Sequence, residues 1–134
     1  MKRILFGVIL IFLWGSVALA NPVKHSLDIR LEECLAKHPG TTSERHCIEQ
    51  MMPLWDKALN LYYQRLGGDK NKALRRAQRA WLKFRKEEQR YIHVRFSLDG
   101  TMYRLMEANA YLELLRKRAL ELKFHYEFSK LLSE

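Results

Sequence analysis

The chain has 134 residues, of which 48% are hydrophobic, and its formal net charge at pH 7 is +9. This is the length of one domain, and the hydrophobic content is too high for a disordered tail. With only 6 Gly and 3 Pro, the chain has too few turn residues for an all-β sandwich. We therefore expect an all-helical fold.

Residues 1–20 have the pattern of a secretory signal peptide. Lys2 and Arg3 give a basic start, an apolar stretch follows, and small residues end the segment at Ala20. We expect cleavage before Asn21. The alternative is an uncleaved membrane anchor, but the apolar stretch is short and no basic flank follows it. The sequence thus predicts a periplasmic or secreted protein with no transmembrane segment after cleavage.

Cys34 and Cys47 are the two cysteines of the chain. In the oxidising space that export implies, they can form one disulfide, a closure that contributes about 3 kcal/mol in the chain-entropy account. The alternative is a metal site, because His38 and His46 lie beside the thiols. The adjacent side chains of His46 and Cys47 diverge on a helix, however, so they are poorly placed to bind one metal ion. Oxidised thiols also cannot bind metal as thiolates. We expect the disulfide, and neither a metal nor another cofactor.

The remaining chain, residues 21–134, is predicted to form a single helical domain. A short helix capped by Ser26 ends at the Pro39-Gly40 pair, and a second helix begins at Thr41 and ends at Gly67. The apolar stripe of the second helix recurs at steps of three and four: Ile48, Met52, Trp55, Leu59, Tyr62 and Leu66.

Two further helices follow, the first capped by Asp69 and the second beginning after a turn at residues 97–100. The predicted inward positions of the third helix are Leu74, Ala77, Trp81, Phe84, Glu88, Tyr91 and Arg95. Those of the fourth are Leu105, Ala108, Leu112, Leu115, Ala119, Leu122 and Tyr126. Because short connections make neighbouring helices antiparallel, we expect three long antiparallel helices in an up-down-up bundle. The disulfide would hold the short first helix against the second.

Aromatic residues on these stripes are expected to pack in the core: Trp55, Tyr62, Trp81, Phe84 and Tyr91. Glu88 is the exception on its stripe, since an inward carboxylate is costly unless it is paired. We expect a structural ion pair between Glu88 and Arg116 or Arg118 of the fourth helix. The alternative role for Glu88 is that of a catalytic acid.

The positive charge is concentrated between residues 65 and 95, which contain eleven Lys and Arg against three Asp and Glu. Six of these cations recur at steps of four and three, about 200° around the helix from the apolar stripe. We call this row the basic ridge: Lys72, Arg76, Arg79, Lys83, Lys86 and Arg90.

The basic ridge is a candidate binding surface for anions or an acidic protein partner. Like charges three and four residues apart cost a helix a few tenths of a kcal/mol each, so helix stability does not favour the row. The alternative is a solvated face that keeps the protein soluble. The ridge lacks interleaved aromatic residues, and the chain has no groove-reading motif, so we expect no specific nucleic-acid partner.

The two cysteines are followed by the segment Leu59–Tyr63, by an A-Q-R-x-W-L-x-F-R block at residues 77–85 and by a Leu/Arg block at 112–118. Together they resemble the small exported proteins of the lysozyme inhibitor LprI type. The resemblance implies a non-enzymatic protein that inhibits lysozyme by protein contact. It also implies a missing second disulfide, at the positions of Gln89 and Ala110, so that packing alone would hold the last two helices.

We therefore expect an exported interaction protein whose partner is lysozyme or another envelope protein. The alternative function is an envelope-associated module that uses the ridge to bind anionic polymers, through peptidoglycan carboxylates or lipid phosphates. An enzyme is the least favoured class, because the chain has no Gly-rich phosphate loop, zinc-binding His pair or nucleophile elbow.

Overall fold

The computed structural model of the protein describes residues 23–133. It contains four α-helices, α1 (Ser26–Lys37), α2 (Thr41–Arg65), α3 (Lys72–Arg95) and α4 (Thr101–Leu131), with a 3₁₀ turn at Gly68–Lys70. No strand occurs within these residues, which confirms the all-helical class. The up-down-up order and the domain boundaries at 21 and 134 stay predictions. The predicted signal peptide lies outside the described residues.

The core is formed by the apolar faces of α2 and α4. Trp55 of α2 and Leu112 of α4 are both 0% exposed. The remaining buried members of this core are Ile48, Met51, Leu59, Tyr62, Tyr63, Ala108, Leu115, Ala119 and Leu122. Apart from the adjacent Tyr62 and Tyr63, these residues recur at the steps of three and four that were predicted for both helices. On α2, Met51 is buried more deeply than the predicted Met52.

The caps of α1 and α3 lie at other residues than predicted. His25, and not Ser26, caps α1, because its Nδ1 accepts a hydrogen bond from the backbone N–H of Leu27 at 3.2 Å. Asn71, and not Asp69, caps α3 through a 3.1 Å bond from the backbone N–H of Leu74. Both side chains satisfy an N–H that the helix itself leaves free.

α1 has no buried residue and is attached to α2 and α4 at separate points. The Cys34–Cys47 disulfide, with Cα atoms 5.8 Å apart, joins it to α2 as predicted. Arg116 of α4 donates two hydrogen bonds to the carboxylate of Asp28, at 2.6 and 2.9 Å. Such a paired arrangement is among the stronger side-chain contacts, so α1 is fixed by a covalent bond and a charged pair.

The face that α3 turns toward the rest of the protein differs from the predicted one. Gln78 and Ile92 are the buried residues of α3, whereas Phe84 is 52% exposed and Tyr91 is 57% exposed. The prediction that these two rings pack in the core is therefore wrong. The helix is rotated by about one residue relative to the apolar stripe, so that the polar Gln78 is buried in place of Ala77. Leu74 and Trp81 still pack against the core, where they are partly buried.

Candidate functional site

The buried guanidinium of Arg118 accounts for the orientation of α3. Nε and one terminal nitrogen each donate to Oε1 of Gln78 at 3.1 Å, and Gln78 and Arg118 are only 8% and 9% exposed. The other terminal nitrogen binds Glu121 at 2.8 Å. A buried charge needs such partners, so Gln78 faces α4. This position of Gln78 fixes the rotation of α3 about its axis.

The predicted ion pair between Glu88 and Arg116 or Arg118 does not form. Arg116 is bound to Asp28 of α1, and its pKa is raised by the hydrogen bond to that carboxylate, against the opposing effect of burial. Arg118 is bound to Gln78 and Glu121. Within residues 23–133, Glu88 has no hydrogen bond or ion pair. The two arginines are thus already engaged, and the half-buried Glu88 carboxylate is left without a cation.

A second polar cluster ties α3 to α4. Nδ1 of His93 lies 2.8 Å from Oε1 of Glu107, and the Tyr111 hydroxyl donates to the same oxygen at 2.9 Å. The hydroxyl also lies 3.2 Å from the backbone oxygen of Gln89. The resemblance implied that packing alone holds these two helices near Gln89 and Ala110, where a second disulfide is missing. The structure has polar contacts between the helices at this point.

The cluster shifts the titration of two of its members. Burial and the hydrogen bond to Glu107 raise the pKa of Tyr111 to about 12. Burial alone would raise the pKa of Glu107, but the hydrogen bonds from His93 and Tyr111 outweigh it and lower that pKa. Glu107 is consequently held as a carboxylate and Tyr111 as a neutral phenol.

All six side chains of the basic ridge are exposed to solvent. Arg90 forms a 2.7 Å ion pair with Glu87 on the same helix. The other five have no ion pair with any residue that the structure describes. From Lys72 to Arg90 the row extends about 27 Å along one uninterrupted helix. This is a linear array of exposed cations on the solvent side of the protein, and five of the six have no ion pair within the described residues.

Two more arginines lie beside the ridge, in a cavity of about 390 Å³ between α2 and α3. Arg75 and Arg85 line it together with Arg79 of the ridge. Arg85 forms a 3.2 Å ion pair with Asp56 of α2, whereas Arg75 has no ion pair within the described residues. These two residues were not among the predicted site residues. They are the neighbours in sequence of Arg76 and Lys86 of the ridge, and only the packing of α3 against α2 shows that they line a cavity.

A separate groove of about 430 Å³ lies between α3 and α4. Its α3 side includes the half-exposed rings of Phe84 and Tyr91 and the carboxylate of Glu88. Lys117 of α4 contributes a cation on the opposite side. The groove results from the rotation of α3, which turns the aromatic stripe away from the core.

Neither cysteine sulfur is available as a thiolate ligand for a metal, because the two are joined. Among the described residues, no helix combines the length and the apolar composition needed to cross a membrane. The disulfide is consistent with a location outside the cytoplasm.

The comparisons with known proteins agree with the resemblance seen in the sequence. The model of the family described as "Lysozyme inhibitor LprI" matches residues 34–122. No curated protein and no solved structure matches the chain. The matched region runs from the first cysteine to the last buried leucine of α4, and it includes the ridge and the groove. The family takes its name from inhibition of an enzyme and not from catalysis. With two thirds of its length matched, the chain belongs to the LprI lysozyme inhibitor family.

Proposed function

We propose that this protein is exported and inhibits lysozyme by direct contact through the basic ridge. Membership of the LprI family suggests a lysozyme-inhibitor-like role. The observation that supports the ridge as the contact surface is its five exposed cations without an intramolecular ion pair. No bond within the described protein has to break before these groups meet a carboxylate on a partner.

The chemistry of lysozyme provides a target for such a cation. A glycosidase of this kind uses two carboxyl groups in its cleft, one as the acid and one as the nucleophile or stabilising charge. Arg79 lies near the middle of the ridge, and a guanidinium can bind a carboxylate through two parallel hydrogen bonds. An arginine inserted between the two groups would exclude substrate and hold both as carboxylates.

The test is the rate of cell-wall lysis with purified protein in molar excess over lysozyme. A ridge variant replaces four cations by glutamine: Arg76→Gln, Arg79→Gln, Lys83→Gln and Lys86→Gln. A matched control removes the same charge from exposed positions on other helices: Arg30→Gln, Lys37→Gln, Lys57→Gln and Lys130→Gln. We expect the wild type and the control to slow lysis and the ridge variant to lose at least tenfold in potency.

A soluble oligosaccharide substrate separates enzyme inhibition from coating of the wall. Inhibition that persists with this substrate in large molar excess over the protein, so that the protein cannot sequester it, acts on lysozyme itself. Full lysozyme activity at a large excess of wild-type protein, with either substrate, would contradict the proposal. Equal potency of the ridge variant and the control would instead place the contact on another surface.

The second candidate function is binding of anionic envelope polymers, and the linear form of the ridge favours it. A row of cations about 27 Å long suits a repeating anion, such as the carboxylates of peptidoglycan or the phosphates of a lipid surface. Salt distinguishes the two candidates. Retention on isolated envelope should fall steeply as salt screens the ridge. Association with a basic lysozyme, which the ridge repels at long range, should become faster with added salt.

A further inference from the structure

The groove between α3 and α4 combines half-exposed aromatic rings with charged groups of both signs. Phe84 and Tyr91 are 52% and 57% exposed, and they lie seven residues apart on one helix. Two helical turns separate them by about 10.5 Å along the axis. The groove volume of about 430 Å³ is within the range of roughly 300–1,000 Å³ typical of ligand sites.

The polar groups beside these rings are free to bind a ligand. Glu88 has neither a hydrogen bond nor an ion pair within the described residues, and Arg95 and Lys117 have no ion pair there. Arg95 lies over the ring of Phe96, with Cζ 5.4 Å from the centroid. The groove thus offers one acceptor and two donors next to exposed aromatic faces.

The balance of charge selects the class of ligand. Three carboxylates line the groove, those of Glu88, Glu113 and Glu121, against three cations. An anionic polymer gains little there, and a purely apolar helix would remove Glu88 from water without giving it a partner, which is costly. A sugar chain can both cover the aromatic rings and give Glu88 a hydrogen-bond partner. Each pyranose ring has an apolar C–H face and a rim of hydroxyls that donate and accept hydrogen bonds.

We propose that this groove binds a neutral glycan segment. Two sugar rings stack their C–H faces on Phe84 and Tyr91, while their hydroxyls donate to Glu88 and accept from Arg95 and Lys117. This site is distinct from the basic ridge, and it does not depend on lysozyme inhibition. It would hold the protein on a polysaccharide while the ridge remains accessible.

The test is titration of the purified protein with two neutral tetrasaccharides, chitotetraose and cellotetraose. NMR signals of the aromatic side chains are followed, and affinities are measured by calorimetry. The first sugar carries N-acetyl groups and the second does not, so the two arms identify the kind of glycan that is preferred. We expect saturable shifts with at least one of the sugars at Phe84, Tyr91 and Trp81, which also lines the groove. Salt should not affect the shifts, because the ligand is uncharged.

Variants then locate the site. Tyr91→Ala and Glu88→Gln should each weaken binding, the former at least tenfold, while circular dichroism reports on the fold. Leu82→Ala is the matched control, since Leu82 is half-exposed on α3 and lines the other cavity. The ridge variant should bind the sugar normally, which separates this site from the proposed function.

The absence of saturable shifts with both sugars would overturn the proposal. Shifts confined to residues outside the groove, or unchanged affinity in Tyr91→Ala, would overturn it as well. Self-association that Tyr91→Ala abolishes, without any effect of sugar, would show instead that a second copy of the chain occupies the groove. If a variant fails to fold, the shifts of the wild-type aromatic signals still decide the question.

Discussion

The α2 and α4 pair and the α3 helix are built in opposite ways. α2 and α4 contribute the buried apolar cluster, including Trp55 and Leu112 at 0% exposure. α3 has 24 residues, yet only Gln78 and Ile92 are buried. The first pair is stabilised by burial of apolar surface. α3 is attached by directional polar contacts together with the partly buried Leu74 and Trp81. A helix held in this way can present most of its side chains to partners.

The largest predicted effect is a difference in the free energy of unfolding between two variants, one that truncates a leucine of α4 and one that truncates a leucine of α3. Leu112→Ala removes a fully buried side chain and should lower the free energy of unfolding by about 2–5 kcal/mol. Leu82→Ala, at 48% exposure, should change it by less than about 1 kcal/mol. Urea unfolding at neutral pH measures both. Equal losses would mean that α3 is packed into the core as tightly as α4.

Removal of the disulfide tests the covalent attachment of α1. The double variant Cys34→Ser and Cys47→Ser should lose about 3 kcal/mol, because the unfolded chain is no longer constrained by the loop. The loss should be matched when the wild type is unfolded in the presence of a reductant. If the reduced wild type is as stable as the oxidised protein, the Arg116 and Asp28 contact and the packing of Leu27 and Leu31 are enough to fix α1.

Loss of the Gln78 side chain tests the polar attachment of α3. Gln78→Ala leaves the buried Arg118 guanidinium without an acceptor on α3, and such a loss costs about 1–3 kcal/mol. Backbone amide hydrogen exchange in α3 should become faster than in the wild type, and this increase should exceed any change in α2. Gln64→Ala, at an exposed position of α2, is the control. Unchanged exchange in α3 would show that Ile92 and the His93 cluster hold the helix without Gln78.

The smallest effect is expected from pH at the N-terminus of α1. Burial lowers the pKa of His25 below the ordinary histidine value of about 6.5, so the unfolded chain takes up a proton more readily than the folded protein does. The free energy of unfolding should therefore fall as the pH drops below about 6.5. Protonated Nδ1 also cannot accept the bond from Leu27, and a lost cap costs about 1 kcal/mol or less here.

The variant His25→Asn isolates this pH effect. Asparagine still accepts a capping bond but does not titrate in this range. The difference in unfolding free energy between wild type and variant should change between pH 7.5 and pH 5. A constant difference across that range would remove His25 as the cause.

The periodicity of apolar residues predicted the helices and the α2 and α4 core, because both faces consist of residues that leave water readily. It failed for α3, where Phe84 and Tyr91 lie on the apolar stripe and yet remain exposed. Periodicity measures which residues share a face but not which face meets a neighbour. In α3 the inward face is set by Arg118, because its buried charge needs the hydrogen bonds that Gln78 accepts. A glutamine 40 positions away from its arginine gives no signal in a single sequence.

The candidate site also has one part that could be predicted from the sequence and one part that could not. The basic ridge could be predicted, since six cations on the outer face of a regular helix need only correct spacing. The groove and the free Glu88 could not, because they depend on the rotation of α3. The cluster of His93, Glu107 and Tyr111 was visible only as a Glu and a Tyr four residues apart on α4, which is a common pair on helices.

The most direct test of the ridge as a binding surface is to measure stability and lysozyme affinity on the same ridge variant. Removal of four mutually repelling cations should raise the free energy of unfolding slightly, by about 1 kcal/mol or less. Calorimetric affinity for lysozyme should fall at least tenfold, while the charge-matched control keeps both values. A more stable ridge variant that binds lysozyme as tightly as the wild type would contradict a role for the ridge in binding.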